Sequence, residues 1–123
     1  MPLHPPVPLL RIFDEAVARD FYVGFLGFSA DWDHRHEAGL PIYIQVSRGR
    51  CTLHLTGHHG DCTPGAQVRI VTDDLDALHA ELIAKNVPHN RPGIVEQPWG
   101  ERAVTVHDPF GNRLSFVQPV EKA

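Results

Sequence analysis

The chain has 123 residues, of which 42% are hydrophobic and 21% charged, and its formal net charge is −4. That length supports one domain with a thin core, and the composition excludes an intrinsically disordered chain. Lysines and arginines form no run, which argues against a nucleic-acid partner and suits a cationic ligand better.

The opening MPLHPPVPLL carries no basic leader and no long apolar run. No stretch approaches the roughly 20 apolar residues of a membrane span, so no membrane association is expected and the cytoplasm is the expected compartment. VPLLRIF reads as a strand. Asp14 then caps a helical pattern, EAVARDFYVGFLG, in which Val17, Phe21, Gly24 and Phe25 form one apolar stripe that Gly27 ends. Three strand patterns follow, FSADWDHRH, PIYIQVSR and RCTLHLTG, with Gly49 turning the chain between the last two. HHGDCTPG is a bridge.

The second half repeats this order. AQVRIVT is strand-like, and Asp73 or Asp74 caps LDALHAELIAKN, whose Leu75, Leu78 and Leu82 make the buried stripe. Asn86, before Val87 and Pro88, ends the helix. A short strand is expected near residues 87–90, then RAVTVH and RLSFVQ, joined by the tight reversal DPFGN. RPGIVEQPWGE is a loop too rich in Pro and Gly for a helix. The two cysteines, Cys51 and Cys62, lack CxxC spacing and are expected as reduced thiols, Cys51 as a packing residue.

Strand parity sorts the side chains further. Leu53 and Leu55 oppose Thr52, His54 and Thr56; Ile42, Ile44 and Val46 oppose Tyr43, Gln45 and Ser47; Leu114 and Phe116 oppose Arg113 and Ser115. One face packs on the helices. The other is polar but lightly charged, which fits either a cleft lining or a solvated outer face.

FDEAVARDFYVGFLGF, DDLDALHAELIAKNV and EQPWGERAVTVHDPFGNRLSFV together resemble the vicinal oxygen chelate superfamily of glyoxalases, extradiol dioxygenases and bleomycin-resistance proteins. EQPWGE followed by DPFGN is most similar to the bleomycin-resistance branch. The resemblance implies an α+β fold of one domain over residues 1–123. Two βαβββ modules, 1–60 and 65–120, would form a curved mixed sheet around a cleft, in a homodimer.

Metalloenzymes of that superfamily draw ligands from the first and last strands of each module. Those positions fall on Val7, His54, Gln67 and Ser115, and only His54 is a good transition-metal donor. The resemblance therefore points to no metal, no other cofactor and no catalytic residue. It implies a protein that sequesters a bleomycin-like, cationic heteroaromatic drug without breaking a bond. Trp32, Tyr43, His54, Gln67, Trp99, Arg102 and Ser115 are the expected ligand-binding residues, and Asp31, Asp33 and Glu37 a negative rim. A second reading stays open, a metal-dependent lyase, isomerase or dioxygenase using a rearranged site among His34, His36, His54, His58 and His59.

Overall fold

Two aspartates set the helices of both modules. In the computed structural model, which describes residues 2–88 and 90–120, Asp14 Oδ1 accepts from Val17 N–H at 2.9 Å. Asp74 Oδ1 accepts from Ala77 N–H at 3.0 Å, which makes Asp74 the cap of the second helix. Each bond satisfies one of the donors left free in a first helical turn.

The chain runs β1 (Leu9–Arg11), α1 (Glu15–Arg19) with a wider π-helical continuation (Asp20–Phe25), β2 (Ser29–His34), β3 (Tyr43–Arg48) and β4 (Cys51–Thr56). The second module follows as β5 (Gln67–Val71), α2 (Leu75–Ala84), β6 (Val95–Gln97), β7 (Glu101–His107) and β8 (Arg113–Pro119). Each module contributes one four-stranded mixed sheet, ordered β1-β4-β3-β2 and β5-β8-β7-β6. The first strand of each is parallel to the last, and the other pairings are antiparallel. No described helix is long and apolar enough to cross a membrane.

Two local expectations are corrected. Val17 is 41% exposed, and the buried stripe is Ala18, Phe21, Tyr22 and Phe25. The π-helical widening after Arg19 rotates the apolar face, and it brings Tyr22 into the core. The sixth strand is Val95–Gln97 inside the Pro- and Gly-rich loop, not the segment near 87–90. Around that segment Val87, Pro88 and Asn90 are turn and coil, while His89 lies outside the described residues. A three-residue edge strand tolerates flanking prolines because only one side needs ladder donors.

One apolar cluster joins the modules. Leu10, Ile44, Leu53 and Leu55 from the first sheet meet Val104, Val106, Leu114 and Phe116 from the second, with the helical residues Phe21, Tyr22, Leu75 and Leu82 in the same cluster. Each such side chain contributes about 1.5–3 kcal/mol on burial, so the cluster dominates the fold's stability. Polar ties add direction. Tyr22 Oη donates to Asp108 Oδ2, and Asn112 donates to the Arg11 carbonyl, both across the module boundary.

Candidate binding faces of the two sheets

The face of the first sheet turned away from the core carries Tyr43, Gln45 and Ser47 on β3 and Thr52 and His54 on β4, all half-buried. β2 completes it through an irregularity. The register with β3 slips between Ala30 and Trp32, so Asp31 is an inserted residue. Trp32 thereby lies opposite Gln45, and Asp31 bends in to accept from Gln45 Nε2 and Ser47 Oγ, each at 3.0 Å.

The aromatic groups form a wall. Trp32 and Tyr43 are nearly parallel, at 9° with ring centroids 6.0 Å apart, and His54 meets both rings edge-on. Tyr43 Oη lies 2.6 Å from His54 Nδ1, and His54 Nε2 lies 2.9 Å from Gln45 Oε1. Burial lowers the His54 pKa, which favours the neutral ring. Burial, with Asp61 and Cys62 nearby, raises that of the Tyr43 phenol. Beside the wall is a concavity of about 360 Å³ lined by Trp32, His34, His36, Tyr43, His58 and Asp61.

The charged rim differs from the expected one. Asp31 is occupied by Gln45 and Ser47, and Asp33 is paired with Arg19 at 2.9 Å. Asp61, accepting from Thr56 Oγ1 at 2.7 Å, is the carboxylate that lines the concavity. Cys51, half-buried, packs against the core, and both cysteines are free thiols.

The second sheet presents a separate polar face. Ser115 is buried and shares a hydrogen bond with Thr105 at 2.9 Å, and its other register neighbour is Arg69. Arg69 is paired with Glu101, whose carboxyl lies below its usual range because of the neighbouring Trp99 indole N–H and the Arg69 guanidinium. Gln67 accepts from Arg113 at 3.1 Å. Trp99 is 69% exposed, so it does not anchor its loop beneath the module. Arg102 falls elsewhere. It shares strand parity with the buried Val104 and Val106, and its guanidinium grips Asp76 of α2 at 2.8 and 3.1 Å.

Thus Trp32, Tyr43 and His54 are brought together, and Ser115 and Gln67 lie on the other sheet with Trp99 at its margin. Among the described residues no hydrogen bond joins the two groups. Sequence reasoning missed the parts played by Gln45 and Thr56 and the inward hydrogen bonds of Asp31. Their common parity with His54 was the available signal; the inserted residue in β2 left none.

The superfamily's metal positions do not fit a metal ion in this chain. Val7 is an exposed apolar residue before β1, Leu9 is the register partner of His54, and Gln67 and Ser115 are engaged as above. His34 and His36 have ring centroids 4.8 Å apart, and His36 and His58 6.3 Å apart. Among the described residues no group of three or more His, Cys, Asp or Glu is arranged to hold a metal.

Solved structures share this architecture. The antibiotic binding protein TnmS3 from a Streptomyces species is 29% identical, with a TM-score of 0.71 over 97% of this chain and 99% of that one. The bleomycin-binding protein from bleomycin-producing Streptomyces verticillus, complexed with copper(II)-bleomycin, is 27% identical, with a TM-score of 0.69 over 99% of both chains. The bleomycin resistance protein of Geobacillus stearothermophilus is 25% identical over 130 aligned residues, spanning 94% of this chain and 96% of that protein. The family model for glyoxalase superfamily proteins matches residues 3–123, and the chain belongs to that superfamily.

Proposed function

We propose that this protein binds a small heteroaromatic, cationic antibiotic of the bleomycin type and protects by sequestration, as a cytoplasmic homodimer, without breaking a bond. The observation that carries this reading is the Trp32–Tyr43 wall beside a His54 engaged by Tyr43 and Gln45. His54, the one good transition-metal donor among the superfamily's ligand positions, is here engaged by Tyr43 and Gln45 beside this aromatic surface. Aromatic stacking contributes on the order of 1 kcal/mol beyond burial, and a charged group over an indole adds a similar amount. A Kd of about 1 μM requires roughly −8 kcal/mol, which stacking, burial and ion pairing over a shared cleft supply together. The similarity to bleomycin resistance, bleomycin-binding and antibiotic binding proteins supports the ligand class.

Titration with bleomycin tests the reading. Tryptophan fluorescence should be quenched saturably at a fixed ratio per dimer, and mass spectrometry should recover the drug intact. Absence of binding at hundreds of micromolar rejects this ligand class. A drug returned with altered mass rejects sequestration.

A further inference from the structure

With a neutral His54 ring, the hydrogen bonds around it run in one direction. Asp31 is a carboxylate and accepts, so the Gln45 group facing it is the amide N–H, and Gln45 Oε1 faces His54. An amide oxygen also only accepts, so His54 Nε2 carries the proton. With the ring neutral, Nδ1 offers a lone pair, and Tyr43 must donate its phenolic proton to it across 2.6 Å. Tyr43 Oη therefore has lone pairs and no proton left for a ligand. From Asp31 to Tyr43 the relay makes the wall an acceptor.

The neighbouring concavity adds two features of the same sense. Trp32, Tyr43 and Asp61 line it together with His34, His36 and His58, and one Asp61 oxygen is bonded to Thr56. Aromatic rings, a phenolic acceptor and a carboxylate around about 360 Å³ all favour a compact cation that carries N–H donors. We propose that this concavity is a subsite for a protonated primary amine or amidinium group, with Tyr43 Oη accepting its N–H and Asp61 supplying the countercharge. Asp31 and Gln45 are positioning residues, acting through His54.

The proposal rests on the reading that this face binds a small molecule, but simple amines test it without any antibiotic. Titrations followed by the Trp32 indole N–H resonance should show benzylammonium binding at least tenfold more tightly than benzyl alcohol. Benzyltrimethylammonium, which keeps the charge but has no N–H, should bind more weakly than benzylammonium. Tyr43→Phe should abolish that difference, and Asp61→Asn should weaken both cations severalfold. Nitrogen-15 spectra should show His54 as the neutral Nε2–H tautomer at pH 7, and Asp31→Leu should mix the tautomers. Equal binding of benzyl alcohol and benzylammonium overturns the subsite. An Nδ1–H tautomer or an imidazolium in the wild-type protein overturns the relay. Bleomycin binding without amine selectivity would sink this inference alone, and amine selectivity without bleomycin binding would sink only the antibiotic class.

Discussion

Tyr22 and Asp108 lie 86 positions apart and meet through a 2.6 Å hydrogen bond between phenol and carboxylate. Burial, with the Asp108 charge beside it, pushes the Tyr22 phenol far up, so it remains a donor throughout the physiological range. Asp108 also receives Asn112 Nδ2 at 2.7 Å and the backbone N–H groups of Phe110 and Asn112. The DPFGN reversal is thus an organised loop whose side chains reach back to the first module.

Tyr22→Phe keeps the ring and removes one donor from a buried carboxylate. The expected loss is about 1–3 kcal/mol, since Asn112 still serves the same oxygen. Urea unfolding of the variant, with an unchanged slope and a lower midpoint, is the expected result. An unchanged midpoint would show that the bond contributes nothing net.

A second intermodule tie predicts acid sensitivity. Arg48 donates to both oxygens of Glu81 at 2.7 and 2.9 Å, and this hydrogen bonding holds the Glu81 carboxyl below its ordinary range. A lowered folded-state pKa contributes stability above the unfolded-state value, about 4.3 for Glu, and that contribution is lost as pH falls through the folded value. Both side chains are 38% exposed, so solvent screening limits the pair to about 1 kcal/mol or less. Between pH 7 and pH 3, Arg48→Met should lose stability less steeply than the wild type in urea midpoints. Parallel curves would reject the pair as a contributor.

How much of this was legible in the sequence depends on the length scale of the cause. The Asp14 and Asp74 caps and the Leu75–Leu78–Leu82 stripe are local, and parity correctly assigned Leu53, Leu55 and Leu114 to the core. The rotation of the first helix was not legible, because the widening after Arg19 leaves no periodic signature. Trp32, Tyr43 and His54 could be named from residue type and strand parity. Their joining through Gln45 and Asp31 depends on one inserted residue in β2, a tertiary choice of register. Arg102 looked available in sequence because nothing there shows Asp76 beside it.

The relay also bears on metal content. His54 has both ring nitrogens engaged, and Val7, Gln67 and Ser115 supply no transition-metal set. Protein purified without an affinity tag should carry well under one metal ion per chain by elemental analysis. About one tightly held Zn, Ni, Mn or Fe per chain, lost in His54→Ala, would instead establish the rearranged histidine enzyme.

The proposed dimer yields the most discriminating prediction. Trp32 is 46% exposed on the first sheet, and Trp99 is 69% and Val71 57% exposed on the second. A small domain gains from covering such surface, and a stable dimer typically buries about 1,200–2,000 Å². If the proposed dimer shares its cleft between copies, Trp32 of one chain would face Trp99 of the other across the ligand. Sedimentation should give a dimer at about tens of micromolar. Trp32→Ala and Trp99→Ala should each weaken bleomycin binding several-fold without unfolding, in line with roughly 1 kcal/mol of stacking apiece. The mixture is the sharper measurement. Hybrid dimers of the two variants should contain one intact cleft and one carrying both changes, so half of their sites should regain wild-type affinity. If each cleft is built within a single chain, every site keeps one lesion and mixing restores nothing.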